Sequence, residues 1–154
     1  MDEYQLVDED GNYTDASNYN LIYRKIVGGV VTAQGVSVTV RKDGGIQSVH
    51  TADDIKIDEK SIKEKLKTSI SKEEAIKLIE IQITKDASKI KLYSGYDIKK
   101  SQLVYNHIDN KLIWVFEVVL KETDNSTIEA LELHSVYKQY IIDANTKEFV
   151  TDLK

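Results

Sequence analysis

The stretch Lys111-Leu112-Ile113-Trp114-Val115-Phe116-Glu117-Val118-Val119-Leu120-Lys121 decides how the rest of the chain is read. Leu112, Trp114, Phe116, Val118 and Leu120 recur at every second position, and in a pleated strand that period puts all five on one face. At roughly 1.5–3 kcal/mol for each large apolar side chain fully buried, this face is worth on the order of 10 kcal/mol before conformational entropy is subtracted. The segment is therefore expected to be the core strand. Glu117 interrupts the opposite face, which it shares with Ile113, Val115 and Val119. A solvent-side carboxylate meeting a Lys or a Tyr hydroxyl is the expected reading there.

Strand signals continue on both sides. Gln102–His107 precedes the core strand through Ile108-Asp109-Asn110, a turn in which Asn tolerates positive φ. Val136–Ile142 and Glu148–Thr151 form a last hairpin around Asp143-Ala144-Asn145-Thr146-Lys147, and Glu122–Glu132 is acidic and irregular. Between residues 19 and 51 lie three more runs rich in Val, Ile, Tyr and Thr, at Tyr19–Val27, Gly35–Lys42 and Gly45–Thr51. Gly28-Gly29 and Asp43-Gly44-Gly45 supply the residues that tight hairpins require. Val36, Val38 and Val40 alternate with Ser37, Thr39 and Arg41, so the middle run is expected to have one buried face.

Two helices fit between these blocks. Ser71 and Glu74 make a capping box, and Ala75, Ile76, Ile79 and Ile83 follow at helical spacing. Ile79, Ile81 and Ile83 also alternate as a strand would, but the distance from the cap favours helix. A shorter helix capped by Asp58 would carry Ile62 and Leu66 on a narrow apolar edge flanked by lysines at 60, 63, 65 and 67.

Composition narrows the chemistry. The 154 residues carry no Cys and no Pro, which excludes disulfides, thiol nucleophiles, cysteine-ligated metals and proline-dependent switches. A net charge of −5 argues against a general nucleic-acid binder. Nothing approaches the run of about 18 apolar residues that spans a membrane. Twelve Lys against eight acids between Lys56 and Lys100 read as a solvated helix face, with a lysine-rich docking face as the alternative, while the first fifteen residues hold six acids and no base. Met1-Asp2-Glu3-Tyr4 is polar, without the basic start and apolar stretch of a secretory signal, so the chain is expected to be cytoplasmic or already separated from its signal.

Catalytic motifs are missing where they would be needed. His50, His107 and His134 lack the His-Glu-x-x-His spacing that places two imidazoles on one zinc. Gly35-Val36-Ser37-Val38-Thr39 lacks the second Gly of a serine-hydrolase elbow, and no phosphate-binding glycine pattern occurs. Asp8-Glu9-Asp10-Gly11-Asn12 has its Gly too early for a calcium loop and is expected to be a polar turn. Asn12-Tyr13-Thr14 and Asn125-Ser126-Thr127 have the form of glycosylation sequons. Nine tyrosines, among them Tyr93, Tyr96, Tyr105, Tyr137 and Tyr140, fit sheet packing first and an aromatic recognition surface second.

The order of these pieces resembles the pro-region of thermolysin-like metallopeptidases, a fungalysin/thermolysin propeptide segment followed by a PepSY domain. The likeness runs through Tyr23–Val31, Val36–Val49, Ile70–Ile76, Leu103-Val104-Tyr105, Lys111–Val118 and Tyr140–Val150. It departs where Lys147 stands in place of the family's usual Gly after Thr146, and where Val30 occupies the region of the family's Pro. Lys147 would cost roughly 1–2 kcal/mol if it must take positive φ.

The expected architecture is α+β, with antiparallel sheet packed on one long helix in two consecutive PepSY-like, cystatin-like subunits. The expected divisions are an acidic segment at 1–18, a propeptide-like strand-rich subunit at 19–67, and a PepSY-like helix-plus-sheet subunit at 68–154. The resemblance implies a secreted or extracytoplasmic, non-enzymatic module that inhibits a metallopeptidase or assists its folding, with no cofactor and no catalytic or metal residues. No peptidase domain lies within the 154 residues, so such a module would act in trans, belong to a longer protein, or have left that partnership. The alternative is a stand-alone extracytoplasmic binding or sensor module of PepSY type with no protease partner.

Overall fold

The computed structural model describes residues 3–11, 18–88, 93–122 and 136–150. The elements in chain order are β1 (Glu3–Gly11), β2 (Asn18–Val27), β3 (Val30–Arg41), β4 (Ile46–Thr51), α1 (Glu59–Leu66), α2 (Lys72–Ala87), β5 (Tyr93–Asn106), β6 (Lys111–Glu122) and β7 (Val136–Asp143). Strands are hydrogen-bonded in the order β1-β2-β3-β5-β6-β7, and β4 also pairs with β3. The chain divides into two compact units, residues 1–67 with 104–111, and residues 68–103 with 112–154.

The expected architecture is corrected on two points. The sheet is mixed, because β5 reaches β3 in parallel, at Val31 opposite Val104, after a connection that carries both helices. The sheet is not packed on one long helix: the helical part is two short helices, of 8 and 16 residues, the first being the one read from its Asp58 cap. Lys67 ends α1, and the Ser71 cap starts α2 afresh after a short break. The paired cystatin-like subunits give way to this mixed sheet.

In the first unit, β2, β3 and β4 form an antiparallel meander with β1 on the outer side of β2. Gly28 and Gly29 turn the first hairpin at φ 58° and 83°, and Gly44 turns the second at 83°. The Asp58 carboxylate accepts the Ser61 backbone N–H at 3.0 Å and so caps α1. The buried residues Val27, Val30, Thr32, Ile62 and Tyr105 all lie on α1, on the end of the meander near Gly28, or on the segment contributed by β5. Leu66 approaches Gly28 so closely that a Cβ there would sit 3.1 Å from Leu66 Cδ1.

In the second unit the core strand behaves largely as expected. Phe116, Val118 and Leu120 of β6 join Tyr140 and Ile142 of β7 and Ile70, Ala75, Ile79 and Ile83 in one buried cluster. Trp114 is only half-buried, and its indole N–H donates to the Ile70 carbonyl at 3.1 Å. Both halves of the capping box at Ser71 and Glu74 are made. Ile81 faces out while Ile79 and Ile83 are buried, which settles the segment as helix. Asp143, buried, accepts the backbone N–H groups of Asn145 and Thr146 at 2.9 and 3.0 Å and holds the last turn, where Lys147 takes φ 68°.

Candidate functional site

The residues singled out for chemistry are not brought together. His50 and His107 are exposed, and His134 lies outside the described residues. Among the described residues no group of three or more His, Asp or Glu could hold a metal ion. Glu117 is exposed opposite Gln139. Both sequons, at Asn12 and Asn125, lie outside the described residues. Asp8–Gly11, expected as a turn, is strand: it pairs with Ile22–Tyr19, because backbone pairing along β2 outweighs the local turn preference of Asp-Gly.

The tyrosines divide by role. Tyr105 and Tyr140 are buried, and their hydroxyls donate to Asn110 Oδ1 at 2.9 Å and to Asp86 Oδ2 at 3.0 Å. The half-buried Tyr96 donates to Glu80 Oε1 at 2.7 Å. Burial foremost, then the nearby Asp58 charge, raises the Tyr105 phenol above its ordinary value, against a lowering by the Ser61 hydroxyl. Tyr137 is exposed. Three of these side chains are thus packing groups with satisfied hydroxyls, which does not make an aromatic recognition surface; the side chain of Tyr93 lies outside the described ones. The lysines at 60, 63, 67, 72 and 77 are exposed, as a solvated helix face requires. Asp97 accepts Lys121 at 2.8 Å and Lys99 at 3.3 Å, and these contacts, Lys121 first, lower its carboxyl.

A surface the sequence did not announce lies on the meander. Registers set Tyr19 beside Val40 and Val40 beside Ile46, then Leu21 beside Val38 and Val38 beside Val49, then Tyr23 beside Val36 and Val36 beside Thr51. Cross-strand partners share a face, so these three rows make one apolar face across three strands. Ile46 belongs to it because the register slips by one residue between Thr39 and Val40, which turns Ile46 to the side of Val40. The reverse face carries Asn20, Ser37, Thr39, Ser48 and His50, with Ile22 among them, and the Thr39 hydroxyl donates to Asn20 Oδ1 at 2.9 Å.

The expected burial of the Val36, Val38, Val40 face is corrected here. None of these residues is buried; Tyr19, Ile46 and Val49 are 42%, 66% and 53% exposed, and Leu21, Tyr23 and the three valines are half-buried. Alternation records that the two faces differ in polarity and does not itself supply a covering layer. Three strands about 4.8 Å apart and three rows about 6.8 Å apart give a face of roughly 14 by 20 Å. Chemically it can exclude water from an apolar partner surface. The polar groups of these nine residues are the Tyr19, Tyr23 and Thr51 hydroxyls, and none of the nine is a His, Asp, Glu, Lys or Cys that could activate them.

No helix among the described residues is long and apolar enough to cross a membrane. Compared with protein-family models, with curated proteins and with solved structures, the chain matches none.

Proposed function

We propose that this chain is a non-enzymatic protein-binding module that docks a partner protein on the apolar face of β2, β3 and β4. The observation that carries the reading is that face: three aligned rows of Tyr, Leu, Val and Ile, the last ending on Thr51, with no buried member, on strands whose reverse side is polar but for Ile22. An amphipathic sheet of this kind gains its hydrophobic free energy only when something covers the apolar side. At roughly 300 Å² the face reaches the size at which an exposed apolar patch is often functional. The resemblance to metallopeptidase pro-regions makes a secreted thermolysin-like peptidase the first partner to test, in an extracytoplasmic setting, with steric inhibition or assistance in folding as the outcome.

The test is a titration of the chain against secreted thermolysin-like peptidases, following residual activity and survival of the chain, with parallel refolding of denatured peptidase in its presence. Saturable inhibition or a raised refolding yield, weakened about tenfold or more by Val49→Glu or Ile46→Glu, is the expected result. Both substitutions are at exposed positions and leave the buried core intact. Binding that ignores both substitutions would remove the face from the mechanism. Failure with every peptidase would remove that partner class and leave the stand-alone binding module.

A further inference from the structure

β4 has an edge as well as a face. Among the described residues it pairs only with β3, and Ile46-Gln47-Ser48-Val49-His50-Thr51 contains no Lys, Arg, Asp, Glu or Pro. Natural edge strands are usually blunted by such residues or by bulges, since an open row of N–H and C=O groups invites another strand. Here the one irregularity is the register slip near Ile46, and Ser48–Thr51 remains regular.

The charges flanking this edge are sorted by end. Exposed Arg41 and Lys42 lie beyond Ile46, and exposed Asp53 and Asp54 lie beyond Thr51. At the first end Asp43 is held by Arg41 at 3.4 Å and by the Gly45 N–H at 2.9 Å; at the second, Lys56 follows further along the chain. We propose that β4 pairs edge to edge with the β4 of a second copy, antiparallel about a two-fold axis. That arrangement sets Arg41 and Lys42 of each copy beside Asp53 and Asp54 of the other, twice by symmetry, whereas a parallel pairing would set like charge against like. The strand between, free of Lys, Arg, Asp and Glu, lets the two copies meet without burying one of those charges unpaired. The pairing also joins the apolar faces of the two copies into one of six strands.

Six residues a side place the contact in the small, transient class of interface, below about 1,200 Å². Association is therefore expected at high concentration and to weaken with added salt. The pairing uses backbone groups, so it does not depend on the apolar face taking a partner, and the peptidase titration at low concentration reads that face separately.

The test is sedimentation equilibrium from about 10 µM to about 1 mM, with amide hydrogen exchange of the unaltered chain followed over the same range. A monomer–dimer equilibrium is expected, with added protection at Ile46–Thr51 as concentration rises. Asp53→Lys with Asp54→Lys should weaken it about tenfold, and adding Arg41→Glu with Lys42→Glu should restore it. A monomer throughout, or concentration-dependent protection that leaves β4 untouched, would overturn the proposal; the exchange data do so even if a variant fails to fold. Association indifferent to the first charge reversal, or not restored by the second, would overturn the antiparallel arrangement.

Discussion

Replacing Lys147 by Gly is expected to stabilise the protein. Lys147 sits at φ 68° in the turn held by Asp143, where its backbone N–H donates to the Asp143 carbonyl at 2.9 Å. A residue with a Cβ loses about 1–2 kcal/mol in this left-handed conformation, and Gly does not. Against that gain stand two losses. The unfolded chain gains freedom with Gly, which costs about 0.4–1 kcal/mol. The Lys147–Glu74 pair, at 4.0 Å with both side chains more than half exposed, contributes about 0.2 kcal/mol, the low end for surface pairs. The net is a gain of about 0.5 kcal/mol, or about 1–2 °C in Tm for a chain of this size. Urea unfolding of the Lys147→Gly and Lys147→Ala variants measures it, with the slope of the transition as a check that the surface exposed on unfolding is unchanged. Gly should raise the midpoint and Ala should lower it slightly, since Ala keeps the strain and loses the ion pair. A Gly midpoint below that of Lys147→Ala would refute the assignment of strain to this residue, since both variants lose the ion pair and only the strain favours Gly over Ala.

Trp114→Phe should cost about 1 kcal/mol by removing the indole N–H donor to Ile70, and Trp114→Ala about 3 kcal/mol by also emptying the space beside Phe116; urea midpoints compare the two. Gly35→Ala should destabilise by about 2 kcal/mol or more, because a Cβ there would collide with the Tyr23 carbonyl oxygen of the adjacent strand; thermal unfolding reads the loss. Tyr105 has its phenol raised in the folded state, so the unfolded chain releases that proton first. Its stabilising contribution is complete below the ordinary tyrosine value of about 10 and is lost as pH rises from there through the folded value. Stability measured from pH 8 to about 11 should fall more steeply in the unaltered protein than in Tyr105→Phe.

Local signals were legible wherever neighbouring residues decide the outcome. The Ser71–Glu74 box, the Asp58 cap, the Gly28-Gly29 turn and positive φ at Asn110 depend on side chains within four residues of one another, and all occur as read. The core strand was legible because its period is unbroken. Other features depend on distant partners. Glu3–Gly11 is acidic and without alternation, and only β2 makes it a strand. β5 begins at Tyr93 instead of Gln102, since Ser101, Lys100 and Lys99 give no apolar period to read. The parallel meeting of Val31 with Val104 joins residues whose sequence spacing carries no signal. The apolar face of the meander was legible as alternation, but whether anything covers it is a property of the whole fold. The candidate surface therefore had to be found from register and exposure together.

The first unit is completed by residues 104–111, and this bears on the order in which the protein can be made. Tyr105, buried in that unit, belongs to a stretch that leaves the ribosome roughly 40 residues after Lys67, a delay of about 2–8 s at ordinary rates of synthesis. Through that interval the nascent meander has its hairpins but lacks Tyr105 and the Val104 pairing. The apolar rows and the β4 edge, which stay uncovered in the finished unit among the described residues, are then joined by the still unpaired side of β3 at Val31, and all three are displayed to every chaperone and neighbouring nascent chain within reach. Messages translated on crowded polysomes should accordingly be the setting in which this sequence aggregates most readily, and slowing initiation the simplest way to raise its yield.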